Sequence, residues 1–131
     1  RAKKENYKIA YSPEIFIYHR RRPTLKGLWK QFLNYGFTRV KKERALGNKI
    51  SLLYLLPSFF IVYLILLFPL SLINAGLFLI PLKVYIILVL FSSIKQAIRF
   101  RDIESILILP FIYPLIHLSY GFGLIIGLMK N

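Results

Sequence analysis

Hydrophobic and polar positions divide the chain near residue 50 into two parts with different patterns. In the first part, apolar residues recur at the spacing of one helix face between positions 25 and 40, which predicts an amphipathic helix. Thr24 is a residue type that caps helix N-termini, and Gly47-Asn48 is a pair that ends helices. We therefore assign residues 24–49 to a basic amphipathic helix. Its opposite face carries the polar residues Lys26, Lys30, Asn34 and Thr38.

The second part of the chain consists of long uncharged runs. No charged residue occurs from Ser51 to Leu82, and the 22 residues from Leu52 to Ile73 can cross a hydrocarbon core of about 30 Å as a helix. Asn74-Ala75-Gly76 predicts a tight turn before a second span, which runs from about Leu77 or Pro81 to about Ile98. Ser105 to Met129 is a third run of 25 residues without charge. Residues 50–131 are therefore predicted to form three transmembrane helices.

Small residues recur in the third of these runs. Ser119, Gly123 and Gly127 are spaced by four and predict a ridge on which another helix packs closely. His117 precedes the ridge, and an ionisable residue inside a span is a candidate for function. For His117 we favour a hydrogen bond to a neighbouring helix.

Residues 1–23 differ from both parts. Ile15 to Tyr18 is β-branched and aromatic, as expected of a strand, and Ser12-Pro13 supplies a turn before it. Because the segment is too short for a sheet of its own, we interpret residues 1–23 as the end of an upstream domain, and the chain, which begins at Arg1, as the C-terminal part of a longer protein. The predicted fold class is mainly α: a membrane protein with a short β remnant, an amphipathic interface helix and three transmembrane helices.

Composition supports the membrane assignment and locates the charge. A hydrophobic content of 56% is too high for a soluble fold of this size. Of the net charge of +14, about +11 lies in the first 49 residues, which hold 14 Lys or Arg and 3 Glu. Such a block suits nucleic acid or anionic lipid, and the apolar sequence that follows favours lipid as the partner, with no nucleic acid.

The distribution of Lys and Arg also predicts an orientation. The first 49 residues and the loop from Lys95 to Arg101 are basic and are expected in the cytoplasm, at the inner (plasma) membrane. The uncharged turn at residues 74–76 and the tail Lys130-Asn131 are then expected on the outer side. Trp29 and the many Lys and Arg residues favour a helix lying in the membrane interface, with a basic surface helix on a soluble domain as the alternative.

Few residues in the chain suggest catalysis. Only five are acidic, none forms an Asp-x-Asp pair that would hold a metal on a diphosphate, and there is no Cys. His19 adjoins Arg20, Arg21 and Arg22, a group suited to a metal or a diphosphate, with a solvated basic turn as the alternative.

Gln31, Asn34 and Tyr35 form a second group, on the predicted amphipathic helix. An aromatic ring flanked by amides is a plausible sugar-binding arrangement, because the ring packs on C–H groups while the amides bond hydroxyls. The same residues also suit an ordinary helix surface.

Two segments give the chain a resemblance to a known family. The stretch Tyr11 to Gly36, "YSPEIFIYHRRRPTLKGLWKQFLNYG", resembles the end of the catalytic domain of membrane-bound family 2 glycosyltransferases, particularly those of bacterial exopolysaccharide synthesis of the succinoglycan type. The stretch His117 to Leu128, "HLSYGFGLIIGL", resembles the last span of the same group. In processive relatives a Gln-x-x-Arg-Trp motif lies near the acceptor. Here Gln31 matches, Asn34 replaces Arg and Tyr35 replaces Trp.

The resemblance implies a GT-A type catalytic domain upstream, which takes a nucleotide-sugar donor and a divalent metal, Mg or Mn. It implies that His19 approaches the metal, that the three arginines lie near the diphosphate, and that Gln31, Asn34 and Tyr35 lie near a lipid-linked or polysaccharide acceptor. The donor site and the catalytic base would lie upstream, so this part alone is expected to be inactive. The alternative function is a small non-enzymatic membrane scaffold or accessory subunit whose basic helix binds lipid.

Overall fold

The computed structural model describes residues 12–14, 16–18 and 24–130, and nearly all of this part is helical. Its four helices are α1 (Leu25–Ala45), α2 (Leu52–Phe78), α3 (Ile80–Phe100) and α4 (Glu104–Met129). The mainly α fold class is confirmed. Residues 16–18 form neither helix nor strand, and the rest of the predicted β remnant lies outside the described residues.

Helix α1 lies within the predicted range 24–49: it begins directly after Thr24 and ends at Ala45, just before the Gly47-Asn48 pair. The Thr24 hydroxyl accepts a hydrogen bond from the backbone N–H of Gly27 at 3.1 Å, which satisfies one of the donors left free at a helix start. Gly47, just beyond the C-terminal end, adopts a left-handed conformation with φ of 66° that is cheapest for glycine. The six residues from Leu46 to Ser51 then connect α1 to α2.

Helix α2 is longer than the predicted span. Helical structure continues to Phe78, and the predicted tight turn at residues 74–76 is a kink at Asn74, whose φ and ψ are −156° and 90°. The Asn74 side chain accepts a hydrogen bond from the backbone N–H of Leu77 at 3.1 Å, so it caps the short helical segment after the kink. Asn74 therefore ends one helical segment and caps the next one, which begins within one turn.

The last two helices follow the predicted spans closely. Helix α3 has Pro81 in its first turn, where proline is tolerated, and Arg101, directly after its last residue, adopts a left-handed conformation with φ of 54°. The Asp102 carboxylate accepts from the backbone N–H of Glu104 at 3.1 Å and from the Ser105 hydroxyl at 2.8 Å at the start of α4. In α2, α3 and α4 the described chain thus has three helices that are long and apolar enough to cross a membrane.

Helix α4 is the centre of the packing, because each of the other helices lies against it. Helix α3 runs antiparallel to it across the short connection, and Tyr85 meets His117. Helix α2 meets it through the Ser58 hydroxyl, which donates to the Gly121 carbonyl at 3.1 Å. Gly121 has no room for a side chain there, since a Cβ would lie 2.7 Å from the Pro57 carbonyl oxygen.

Helix α1 runs in the same direction as α4, and the ends of the two helices meet. The Arg44 guanidinium donates to the carbonyl of Lys130 at 2.7 Å and to that of Leu128 at 3.1 Å. The structure thus places Lys130 beside the C-terminal end of α1, whereas we expected the tail on the opposite side of the membrane from the first 49 residues. That expectation assumed one full crossing for each apolar run.

Candidate functional site on the open face of α1

The candidate site stands on a helix that is fixed by very close packing. A Cβ on Gly36 of α1 would overlap the Tyr120 carbonyl oxygen and lie 2.8 Å from the Leu124 backbone nitrogen. A Cβ on Gly123 of α4 would overlap the Leu33 carbonyl. The backbones of the two helices therefore touch, and only glycine allows that approach.

The predicted ridge lies in this contact. Ser119, Gly123 and Gly127 are all buried, and a Cβ on Gly127 would lie 3.0 Å from the Phe37 carbonyl oxygen and from Val40 Cγ2. The expectation that the ridge receives a closely packed helix is confirmed, and that helix is α1.

The apolar face of α1 is thus covered by protein. Val40 is fully buried, and Trp29 packs against Phe122 with 6.1 Å between the ring centroids. The amphipathic pattern was predicted correctly, but much of the stripe expected to face lipid packs on α4. Its polar face, predicted at Lys26, Lys30, Asn34 and Thr38, is exposed.

Gln31 and Tyr35 come together on this helix. The Gln31 amide nitrogen donates to the Tyr35 hydroxyl at 2.8 Å, as their spacing of four residues allows. The Tyr35 ring also lies edge-on to Phe32, with 5.6 Å between centroids, and keeps 50% of its surface exposed. The ring is therefore held in place at one edge and remains accessible.

Asn34 lies beside this pair but outside its hydrogen bond. It is exposed, and its backbone carbonyl accepts a 2.8 Å hydrogen bond from the Thr38 hydroxyl. An amide next to a fixed aromatic ring can bond hydroxyl groups of a molecule that lies on the ring. The three predicted residues thus share one part of the open face, where the arrangement suits a neutral, hydroxyl-rich ligand.

The C-terminal half of α1 supplies positive charge. Arg39 stacks on the Tyr54 ring at 4.3 Å from its centroid and lies 3.5 Å from the Glu43 carboxylate. Partial burial lowers the pKa of Arg39, but interactions with Tyr120, Tyr54 and Glu43 raise that pKa by more, so its net shift is upward and the side chain stays cationic. Lys41 and Lys42 are exposed alongside. A phosphate-bearing surface next to α1 would therefore be attracted.

The other predicted site falls outside the described residues. His19, assigned to a metal, and Arg20, Arg21 and Arg22, assigned to a diphosphate, are not among them. Within residues 12–14, 16–18 and 24–130 no three His, Asp or Glu side chains are grouped to hold a metal ion.

A second feature, in the apolar helices, was only partly foreseen. His117 meets the Tyr85 hydroxyl through Nδ1 at 3.0 Å, which confirms the predicted hydrogen bond to a neighbouring helix. Next to this pair is an open groove of about 530 Å³ between α2, α3 and α4. The sequence indicates that His117 is unusual. It does not predict the groove, because the groove depends on how far the helices diverge.

Comparison with models of known protein families, with curated proteins and with solved structures found no match for the chain.

Proposed function

We propose that the chain is the C-terminal, membrane-anchoring and acceptor-side portion of a family 2 glycosyltransferase. The full-length enzyme would transfer a sugar from a nucleotide-sugar donor to a lipid-linked or polysaccharide acceptor at the cytoplasmic face of the inner membrane. One observation supports this most directly. Parts of the two segments that resemble the family, far apart in sequence, pack together where α1 meets α4, through Gly36 against Tyr120 and Leu124 and through Trp29 against Phe122.

The open face of that unit would receive the acceptor. Tyr35 presents a ring that Gln31 and Phe32 hold in place, and Asn34 offers an amide beside it. Aromatic rings pack on the C–H faces of sugars, and amides bond hydroxyl groups. Because Asn34 is neutral where the family motif has Arg, this face would contact the sugar and leave the phosphate to other residues.

The donor would be bound by the upstream domain together with the segment before α1. In this proposal His19 approaches the divalent metal and Arg20, Arg21 and Arg22 lie near the diphosphate, which guanidinium groups bind through paired hydrogen bonds. The metal would neutralise charge on the leaving nucleotide diphosphate.

The test is a comparison of two reactions of the full-length protein in lipid nanodiscs, sugar transfer to acceptor and hydrolysis of the donor by water. An aromatic contact is worth about 0.5–1.5 kcal/mol, so Tyr35→Ala should lower kcat/KM for the acceptor by about 2- to 12-fold. Donor hydrolysis should change little. Tyr35→Phe keeps the ring but loses the bond to Gln31. Its kcat/KM for the acceptor should therefore lie between that of the wild type and that of Tyr35→Ala.

Phe68→Ala is the matched control, because Phe68 is also an exposed ring but lies on α2. It should leave both reactions unchanged. An equal loss of both reactions in folded Tyr35→Ala protein would refute the acceptor role. A full-length protein that never transfers sugar would favour the non-enzymatic scaffold.

A further inference from the structure

Two lysines that are far apart in sequence lie on one aromatic ring, where the C-terminal ends of α1 and α4 meet. The Lys41 ammonium lies 4.8 Å from the centroid of the Phe37 ring, and the Lys130 ammonium lies 6.0 Å from the same centroid. Both distances fall within the range of about 6 Å over which an aromatic ring attracts a cation. The ring therefore brings two positive charges together at one place on the surface.

Arg44 holds one of these lysines in place. Its guanidinium donates to the backbone carbonyl of Lys130 at 2.7 Å and to that of Leu128 at 3.1 Å. These bonds fix the backbone of Lys130 beside α1 and add a third positive charge. Phe37, Lys41 and Arg44 of α1 and Lys130, which directly follows α4, thus form one unit, the Phe37 cluster.

The Phe37 cluster has no carboxylate partner among the described residues. The one ion pair in that part of the chain joins Arg39 to Glu43, and the Asn48 amide also donates to Glu43. Asp102 and Glu104 lie at the opposite end of the 26-residue helix α4. Cations held close together repel one another, and an anion that contacts both of them relieves this repulsion. The cluster is therefore suited to a ligand that carries more than one negative charge.

Exposed apolar surface adjoins the Phe37 cluster. Phe122, Ile126 and Met129 follow one stripe of α4, the α4 stripe, at spacings of four and three residues, and all three side chains are exposed. Lys130 directly follows the end of this stripe. Helix α4 is long and apolar enough to cross a membrane, where the stripe would face hydrocarbon and the cluster would lie at the level of the head groups. The two surfaces together suit an anionic lipid.

We propose that the Phe37 cluster binds the two phosphate groups of one diphosphatidylglycerol (cardiolipin) molecule, whose acyl chains lie along the α4 stripe. Two phosphates joined by one glycerol match two ammonium groups on one ring, whereas a lipid with a single phosphate engages them one at a time. The site is separate from the open face of Gln31, Asn34 and Tyr35, and the inference does not depend on sugar transfer.

Native mass spectrometry of the purified full-length protein in a neutral detergent tests this inference with tetraoleoyl cardiolipin and dioleoyl phosphatidylglycerol. Each Lys or Arg near an anionic lipid contributes about fivefold in affinity, so cardiolipin should bind about fivefold more tightly at equal phosphate concentration. Lys41→Gln and Lys130→Gln should each lower cardiolipin binding about fivefold. Because either ammonium can serve a single phosphate, each variant should lower phosphatidylglycerol binding only about twofold.

Lys30→Gln is the matched control, because Lys30 is an exposed lysine of the same helix but lies about two turns before Phe37. It should leave the preference for cardiolipin unchanged. Phe37→Leu removes the ring without changing the charge, and it should reduce that preference because the two ammonium groups are no longer held together. Circular dichroism of all four variants confirms that they are folded.

Three results would overturn the inference. One is an equal loss of cardiolipin binding in Lys30→Gln and Lys41→Gln, which would indicate diffuse attraction to positive charge. Another is equal affinity of the wild type for the two lipids. The third is displacement of cardiolipin by inorganic diphosphate at equal phosphate concentration, which would mean that the Phe37 cluster binds soluble anions instead of a lipid.

Discussion

The backbone contact between α1 and α4 makes a sharp prediction for Gly123→Ala. The added Cβ would overlap the Leu33 carbonyl oxygen and lie 2.7 Å from the Leu33 carbonyl carbon and 3.0 Å from its Cα. These are backbone atoms, which cannot rotate away as a side chain would. Since carbon atoms pack best at about 3.5–4.0 Å, the helices would have to separate by about 1 Å or more, and a gap of about 0.5–1 Å already forfeits a quarter to a half of each dispersion contact.

The expected cost follows from this separation. Overpacking a close contact destabilises by about 1–3 kcal/mol, while Gly→Ala in a helix gains about 1 kcal/mol in helix propensity. Gly76→Ala serves as the control, because a Cβ there meets only the side-chain oxygen of Asn74, at 3.3 Å, within helix α2. Gly76→Ala also gains helix propensity, although Gly76 lies in the first turn of the segment that Asn74 caps. The difference between the two variants should therefore reflect mainly the overpacking, about 1–3 kcal/mol.

Trp29 provides the assay. It is the single tryptophan of the chain and it lies against Phe122 on α4, so its fluorescence reports whether α1 is docked. Titration with a denaturing detergent should undock α1 earlier in Gly123→Ala than in Gly76→Ala. Equal midpoints for the two variants would show that α1 and α4 do not touch as described.

Three smaller predictions address single contacts. Arg44→Gln removes the cation from the bonds to Leu128 and Lys130, and at this exposed site it should cost ~1 kcal/mol, seen as about fivefold faster amide exchange in the last turn of α4 but not in its first. Tyr85→Phe removes the partner of His117 and should lower stability by about 0.6–1.7 kcal/mol, with no further loss when His117 is also replaced. Thr24→Ala removes the α1 cap and should cost ~1 kcal/mol, seen as faster amide exchange in the first turn of α1 only. Thr24→Ser keeps the hydroxyl and should leave that exchange unchanged.

Much of the helix framework was predictable from the sequence, for local reasons. Thr24 caps α1 because its side chain meets a backbone N–H three residues ahead, and Gly47 ends the helix because of its own conformation. The alternation of apolar and polar residues in α1 correctly separated a covered face, which includes Val40, from an open one, which includes Asn34. Each of these features depends on residues within one or two turns.

What covers the apolar face of α1 was not predictable in the same way. Periodicity shows which side of a helix avoids water, but lipid and another helix satisfy that side equally well. The signal for a protein partner was present as small residues: Gly36 lies on the covered face of α1, and Gly123 and Gly127 lie on one stripe of α4. Pairing these two sets would have indicated contact between the helices.

The kink and the groove lie beyond local patterns. The sequence predicts Asn74 as the first residue of a turn between spans, whereas its side chain caps a further helical segment that extends α2 to Phe78. The groove results from the divergence of α2 from α3, which depends on how both helices pack on α4, for instance at Gly121. Apart from His117, the residues that line it are ordinary members of three apolar spans.

The bond between Arg44 and the carbonyl of Lys130 joins residues 86 positions apart in sequence. Helices α2, α3 and α4 all lie between these two residues, so the bond closes a ring that contains the three described helices long and apolar enough to cross a membrane. Fraying of the last turn of α4 would therefore also release the C-terminal end of α1.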